Sequence, residues 1–328
     1  MKITFISQKG PSFIERNSPH VPVDLAQQCA LKAYNHHYSQ LEQMKNEWDV
    51  VILLIPKTQE DRNNLYSLFP YDSENNELVT KAKQISKQVW YMQEGPSWIF
   101  QDLPIHQQFW HYSVLTNVDG ILCENKTDIP YYKGLVGDKQ VTDIPSVMIE
   151  DLIKDYPNIE KEEKVMIGGN FCRWYGGFDS YIVAQEFECE IFAPSMGRRI
   201  ENEEQVPNLT HYPYLNWNQW IKTLASHKYA VHLMPTIAAG TFSMNCAFLG
   251  LPCIGYEEAD TQRLLHPNLS VKVGDVEKAK KLAHRLKNDK KFLENCSKEC
   301  KLNYKKLYSE KEFLKHMKKT FNLGEYND

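Results

Sequence analysis

The sequence predicts an α/β protein with two domains, each built on a parallel sheet. Three observations support this prediction. The chain has 328 residues, a length that corresponds to about two domains. Strand-like and helix-like segments alternate along it, and the alternation starts again after a charged linker. Hydrophobic residues form 42% of the chain and charged residues 24%, as in an ordinary globular protein, so each half can bury its own core.

The first half alternates short β-rich runs with longer segments of helical period. The run VVILLIP is continuously apolar, as expected for a central strand that is covered on both faces. Strands separated by helices of this length predict a parallel sheet with crossover helices. The predicted strands are Ile3–Ile6, Val50–Ile55, Val89–Met92 and Gly120–Cys123, and the predicted helices include Leu25–Tyr38 and Ile105–Leu115.

The second half repeats the pattern after 154–164, a charged segment with a proline that is predicted to be a linker. The predicted strands are 165–167, 190–193, 229–234, 253–255 and 269–273, and the predicted helices are 178–187, 217–225, 242–249 and 276–286. The predicted domains are 1–155 and 160–305, followed by a helical tail, 306–328, that packs back on the first domain. The two domains would face each other across a cleft between the carboxyl edges of their sheets, where open α/β sheets bind ligands.

Composition and charge exclude several classes of protein. A formal net charge of −4 and a pI near 6.3 argue against a chain held on nucleic acid by its overall charge. The 8 cysteines show neither a disulfide framework nor a zinc spacing, which indicates reduced thiols. The N-terminal apolar run is too short for a signal peptide, and no apolar stretch reaches the ~18 residues of a membrane span. We therefore expect a cytoplasmic protein.

The first candidate site follows the predicted strand at 165–167 and contains Gly168, Gly169, Asn170 and Arg173. Glycines after a strand let the backbone approach a phosphate, the next helix N-terminus favours negative charge, and an arginine adds a bidentate donor. The pattern is neither a Walker A loop nor a GxGxxG fingerprint. A plain turn with a surface arginine is an equally open alternative.

The second candidate site follows the run VHLMP and begins a helix that ends at Gly250. Gly240 and Thr241 would lie at the helix N-terminus, where free N–H groups and a hydroxyl can hold a diphosphate. Asn245, one turn further on, would reach a ribose. The alternative is a helix cap followed by a buried amide.

A third candidate is Arg263, in the segment Asp260–Arg263 after the next predicted strand. It would reach the same phosphate pocket. Alternatively, Asp260 caps a helix and the arginine is solvated.

Two residues of the first half are candidate general bases. Glu94 follows the strand VWYM and precedes a Gly-Pro turn, so it would face the cleft, although a solvated or lysine-paired carboxylate is the alternative. His20 lies in the long loop after the first strand, where a passive role is equally open.

At these residues the chain resembles the GT-B glycosyltransferases. The block GTFSMNCAFLGLPCIG has that family's order of helix, Leu-Gly-Leu-Pro and strand. The family often has Glu where this chain has Asn245, so an amide would replace a carboxylate at the ribose. The chain is also distantly similar to phage DNA glucosyltransferases, in the segment VMIGGNFCR, in Glu94 at the end of VWYM, and in Asp260–Arg263.

The resemblance implies two Rossmann-like domains in the GT-B architecture and an enzyme that transfers a sugar from a nucleotide-diphosphate sugar. The first domain would be the acceptor side and 160–305 the donor side, with UDP-sugar as the expected donor. The nucleotide base would pack near Tyr214 and Leu215. An Asp-x-Asp motif is absent, which agrees with a metal-independent site that requires no cofactor. Glu94 would act as base with inversion, on a glycan, a small molecule or modified phage-type DNA.

Two other functions are open. A nucleotide-sugar epimerase of the same fold would need no acceptor, and a non-catalytic two-lobed binding protein would show no turnover. The Lys-rich stretch Lys278–Lys319 would border a DNA groove if DNA is the acceptor, although such stretches are usually solvated helix faces.

Overall fold

The computed structural model describes residues 1–8, 12–13, 26–56, 59–70, 76–169, 171–172, 174–194 and 205–321. These residues form two compact units. The first unit comprises the described residues up to Pro145 together with those from Phe313 onward, and the second unit comprises those from Ser146 to Glu312.

The described strands of the first unit form one sheet in the order β2-β3-β1-β4-β5-β6-β7. All neighbouring strands are parallel except β2 and β3, which are antiparallel. The strands are β1 Ile3–Ser7, β2 Ser12–Phe13, β3 Tyr34–His37, β4 Trp48–Leu54, β5 Ser86–Met92, β6 Gly120–Cys123 and β7 Gln140–Asp143. The helices before the linker are α1 Ala26–Ala30, α2 Gln59–Leu68, α3 Glu77–Ile85, α4 Ile105–Asn117 and α5 Ile129–Val136.

Strand β4 lies at the centre of this sheet, between β1 and β5. Val50, Val51, Ile52 and Leu53 have no exposed surface, so side chains on both faces of the strand are covered. This is the physical reason why the segment is continuously apolar rather than alternating.

The predicted helix Leu25–Tyr38 is wrong in its second half. Helix α1 ends at Ala30, Lys32 takes a left-handed conformation with φ 51°, and the chain then enters β3. Strand β3 pairs in parallel with β1 from Thr4↔Tyr34 onward. Pairing with an already buried strand outweighs the weak helical period of these residues, because helix propensity is a small term.

The second unit contains a sheet in the order β10-β9-β8-β11-β12-β13, with every pair parallel. Its strands are β8 Glu162–Ile167, β9 Glu190–Ala193, β10 Leu209–His211, β11 His227–His232, β12 Cys253–Tyr256 and β13 Ser270–Val271. Its helices are α6 Gly177–Ala184, α7 Trp217–Ala225, α8 Thr241–Leu249, α9 Asp260–Leu265, α10 Val276–Asn288 and α11 Lys290–Leu307. The predicted α/β class with two parallel sheets is confirmed.

The last described helix, α12 (Glu310–Thr320), attaches the end of the chain to the first unit. The ring of Phe321 packs edge-on against Trp90, with centroids 5.4 Å apart. His316 Nε2 donates to the carbonyl oxygen of Asp143 at 2.8 Å. Among the helices in the described ranges, none is both long and apolar enough to span a membrane.

Candidate functional site

A bare backbone turn follows β8 at the carboxyl edge of the second sheet. The N–H of Gly168 donates to the carbonyl oxygen of Val231 at 2.8 Å, which extends the pairing of β8 with β11. A Cβ atom on Gly168 would lie 2.6 Å from the ring of His232. Gly169 has a positive φ of 78°, and a Cβ there would lie 2.6 Å from Tyr175 Cβ. Both positions therefore require glycine, and a ligand meets main chain rather than side chains here.

A helix N-terminus lies at the same edge. Gly240 is the N-cap of α8, with φ 62°, and as a glycine it has no side chain with which to cap the helix. The first N–H groups of an uncapped helix have no intrahelical acceptor and carry the positive end of the helix dipole. A Cβ on Gly240 would overlap Thr261 Oγ1, so this position also requires glycine.

His232, the last residue of β11, connects the two turns. Its ring lies against Gly168 on one side. Its centroid lies 4.9 Å from that of Phe242, in the first turn of α8. The sequence-predicted residues Gly168, Gly169, Gly240 and Thr241 are thus brought together at one sheet edge.

The buried polar atoms at this edge that have no hydrogen-bond partner within the described part of the chain include Nε2 of His232 and Oγ1 of Thr261. The two residues are 8% and 2% exposed. Burial lowers the pKa of His232 to about 4, so the imidazole is neutral near pH 7. Sequence reasoning did not select either residue as a binding group, because their burial depends on α8 and α9.

A buried hydrogen-bond network holds Thr261 in place. The next residue, Gln262, accepts from Ser243 Oγ at 2.8 Å and donates to the carbonyl oxygen of Cys253 at 3.0 Å. His266 Nε2 donates to the carbonyl oxygen of Ser243 at 2.9 Å. These bonds fasten α9 to α8 and to β12, so the position of the Thr261 hydroxyl is fixed by its neighbours.

Arg263 pairs with a carboxylate of its own helix. Its Nη2 contacts Asp260 Oδ1, and the arginine side chain is 45% exposed while the carboxylate is 4% exposed. The N-cap of α9 is Ala259 rather than Asp260. The phosphate contact that the sequence predicted for Arg263 stays a prediction.

Asn245 is 3% exposed and lies in the middle of α8. In the amide orientation that satisfies both ends, Nδ2 donates to the carbonyl oxygen of Thr241 at 3.0 Å and Oδ1 accepts from Trp220 Nε1 at 3.2 Å. This geometry favours the buried-amide alternative over the predicted ribose contact, because both ends of the amide are already engaged by protein atoms.

Tyr214 and Leu215 lie between β10 and α7. The Tyr214 side chain is 76% exposed and Leu215 is partly buried. Nearby, the ring of Tyr212 stacks on Phe192 with centroids 5.1 Å apart. The exposed Tyr214 ring is available to stack on a planar base. The base contact stays a prediction.

The carboxyl edge of the first sheet carries Glu94, two residues after the end of β5 and partly buried. The preceding residue, Gln93, is 2% exposed and accepts from the hydroxyl of Tyr91. Its Nε2 donates to the carbonyl oxygens of Glu94, at 3.1 Å, and Pro96, at 3.2 Å. The turn that presents the carboxylate is therefore held by a buried amide.

A second carboxylate, Glu124, follows the neighbouring strand β6 directly. Its Oε2 accepts from the N–H of Gly95 at 3.2 Å. Sequence reasoning missed Glu124, although it follows a predicted strand much as Glu94 does. Adjacent parallel strands end at the same edge, and this rule would have selected both carboxylates.

Three predicted site residues, His20, Asn170 and Arg173, lie outside the described residues. Among the described residues, no three or more His, Cys, Asp or Glu side chains are grouped so that they could hold a metal ion.

No protein-family model matches the sequence, and no curated protein matches it. Solved structures do match. The sucrose-phosphate synthase of Thermosynechococcus elongatus has a TM-score of 0.65 and 12% identity over 98% of both chains. Anabaena HepE in complex with UDP-glucose has a TM-score of 0.66 and 10% identity over 98% of this chain and 99% of that chain.

An alpha-glucosyltransferase in complex with UDP-glucose and DNA containing an abasic site has a TM-score of 0.65 and 11% identity, over 98% of this chain and 99% of that chain. These structures belong to the GT-B glycosyltransferases. The likeness extends over nearly the whole chain in each case, at identities that carry the fold alone. The protein thus has the GT-B fold, as the resemblance in sequence implied.

Proposed function

We propose that the protein is a glycosyltransferase that moves a sugar from a nucleotide-diphosphate sugar to an acceptor hydroxyl. The observation that carries the proposal is the carboxyl edge of the second sheet. There, glycine turns and a helix N-terminus that begins at a glycine meet the buried polar atoms His232 Nε2 and Thr261 Oγ1, which have no partner among the described residues. An edge of bare N–H groups favours an anionic ligand. The similar HepE and alpha-glucosyltransferase structures contain UDP-glucose, which makes UDP-sugar the first donor to test.

In this proposal the diphosphate binds at Gly168, Gly169, Gly240 and Thr241, with Asn170 and Arg173 as further contacts. Main-chain N–H groups and an arginine would stabilise the negative charge that develops on the diphosphate as the glycosidic bond breaks, without a metal ion. Arg263 would share its guanidinium between Asp260 and a phosphate. The base would stack near Tyr214 and Leu215. The ribose would lie near α8, where the Asn245 amide is already bonded to Thr241 and Trp220 and would support the helix rather than bind the ribose.

Glu94 is the proposed general base, which takes the proton of the acceptor hydroxyl, with His20 as the second candidate. A single base that activates the acceptor gives inversion at the anomeric carbon. Gln93 contributes by holding the Glu94 turn through its buried amide. The acceptor is proposed to be a glycan, a small molecule or modified DNA, and the last class is included because one similar structure contains DNA.

The test is calorimetry and thermal shift with UDP, UDP-glucose, ADP-glucose and GDP-mannose, on the wild type and on Arg173→Ala. We expect one nucleotide to bind and the substitution to weaken it about tenfold or more, as for loss of a charge-assisted hydrogen bond. Absence of binding at millimolar concentration would reject the donor site. Isomerisation of the sugar without any acceptor would instead identify an epimerase.

A further inference from the structure

We propose that His232 and Thr261 are donor-binding residues that hydrogen-bond the diphosphate group of the nucleotide sugar. This inference rests on the proposed function and adds two uncharged side chains to a site that the sequence had populated with glycines and arginines.

The Thr261 hydroxyl lies directly beside the start of α8. A Cβ on Gly240 would overlap its Oγ1, so the hydroxyl is adjacent to the backbone that would receive a phosphate. Thr261 is 2% exposed, and within the described part of the chain its Oγ1 has no partner. A hydroxyl donates and accepts, so it can complete the coordination of a phosphate oxygen already held by helix N–H groups.

His232 approaches the same site from the side of the glycine turn. Its ring touches Gly168 and faces Phe242. Its Nε2 is buried and has no hydrogen-bond partner among the described residues. A neutral imidazole with its proton on Nε2 donates to a phosphate oxygen without adding charge.

A buried polar atom without a partner destabilises the free protein. Two such atoms at one sheet edge are explained if a ligand supplies the missing acceptor. The surrounding atoms indicate what kind of ligand this is. Glycine N–H groups and an uncapped helix N-terminus favour an anion with several oxygens and disfavour a cation.

A comparison within the same strand supplies the control. His227, at the opposite end of β11, is also buried, and its Nε2 also lacks a partner among the described residues. Its Nδ1 nevertheless bonds to the carbonyl oxygen of Thr223 at 3.0 Å. Since it lies at the amino end of the strand, it cannot reach a ligand at the carboxyl edge.

The experiment measures binding of UDP, UDP-glucose and uridine by calorimetry, together with the melting temperature of each ligand-free variant. The removing variants are Thr261→Val and His232→Leu. The conservative variants are Thr261→Ser, which keeps the hydroxyl, and His232→Gln, which keeps an N–H donor near the Nε2 position. His227→Leu is the matched control.

We expect Thr261→Val and His232→Leu to weaken UDP and UDP-glucose each by about tenfold or more and to leave uridine unchanged, because uridine has no phosphate. The melting temperatures of the ligand-free variants should be unchanged or higher, since an unsatisfied buried atom is removed. Thr261→Ser and His232→Gln should recover most of the affinity, and His227→Leu should bind like the wild type.

Two results would overturn the inference while leaving the proposed function standing. The first is wild-type affinity for UDP-glucose in the removing variants. The second is an affinity loss that matches a lowered melting temperature and that the conservative variants do not recover. Failure of the wild type to bind any nucleotide rejects the proposed function itself, so the two failures are distinguishable.

Discussion

The carboxyl edges of the two sheets have the same architecture and opposite chemistry. The edge of the second sheet exposes main chain at Gly168 and Gly240 and buries two uncharged groups, His232 Nε2 and Thr261 Oγ1, to which the described residues offer no hydrogen bond. The edge of the first sheet ends in the carboxylate of Glu94, on a turn braced by buried hydrogen bonds. The residues at the ends of the strands and in the segments that follow them create this difference.

The same parallel-sheet fold thus presents a different chemistry at each carboxyl edge. The N–H groups and neutral side chains around Gly168 and Gly240 suit an anionic ligand, whereas the carboxylates Glu94 and Glu124 at the other edge suit proton transfer. We therefore expect substitutions at the two edges to separate donor binding from turnover.

The largest effect is expected for Glu94→Gln. Removing a general base should lower kcat by about 100-fold or more while the affinity for UDP-glucose is kept. Steady-state kinetics with the acceptor, together with calorimetry of the donor, would measure both quantities. Glu124→Gln is the matched variant, since it keeps an oxygen that can accept from the Gly95 N–H. It should lower kcat by less than about tenfold. If Glu124→Gln has the larger effect, the two carboxylates exchange roles.

At the other edge, Gly240→Ala should damage both stability and donor binding. The new Cβ would overlap Thr261 Oγ1, and φ of 62° adds a backbone strain of about 1–2 kcal/mol. Gly274→Ala is the control, because φ there is also positive, at 85°, but nothing lies within 4 Å of the new Cβ. Urea unfolding and UDP calorimetry would compare them. Equal losses in both variants would show that the contact with Thr261 is unimportant.

The second unit should lose stability as the pH falls. Burial lowers the pKa of His227, His232 and His266 each to about 4. Between about pH 6.5 and 4 the unfolded chain binds protons that the folded chain does not, so stability is complete above that range and falls through it. Within that range each histidine lowers the free energy of unfolding by about 1.4 kcal/mol for each unit by which the pH falls. Urea unfolding at pH 7 and 5 measures the loss of unfolding free energy. His227→Leu should reduce this loss by the contribution of one of the three histidines.

A smaller change of stability with pH, of opposite sign, is expected at His316, in the part of α12 that belongs to the first unit. The hydrogen bond and charge of Asp143 raise the pKa of His316, despite its partial burial. Its stabilising contribution is therefore present below about pH 6.5 and is lost as the pH rises through the raised value. His316→Gln should speed hydrogen exchange in α12 more at pH 6 than at pH 8, and an equal change at both values would reject the pairing as the cause.

The pKa of Asp143, the partner of His316, is shifted in the direction expected for the same ion pair. Burial alone would raise the pKa of Asp143, but the hydrogen bond and charge of His316 outweigh it and leave the pKa below its usual value. Asp143→Asn should accordingly remove most of the pH dependence of α12 exchange. Retention of that dependence would point to another titrating group.

Local patterns in the sequence predicted much of the fold. A continuously apolar run marks a strand covered on both faces, as β4 is, and strand–glycine–helix transitions marked both turns at Gly168 and Gly240. Such signals are readable because they depend on neighbours along the chain. The segment at β3 misled this reasoning, because its conformation is decided by pairing with β1 and not by its own residues.

The sequence by itself therefore determined the parallel-sheet class, the two-unit pattern and the places where backbone must stay bare. Tertiary structure alone decided the state of individual polar groups. It engaged both ends of the Asn245 amide and paired Arg263 with Asp260, and within the described ranges it left His232 Nε2 and Thr261 Oγ1 buried without a hydrogen bond. The physical reason is that burial and hydrogen bonding depend on groups far away in the chain, which periodicity and spacing do not report.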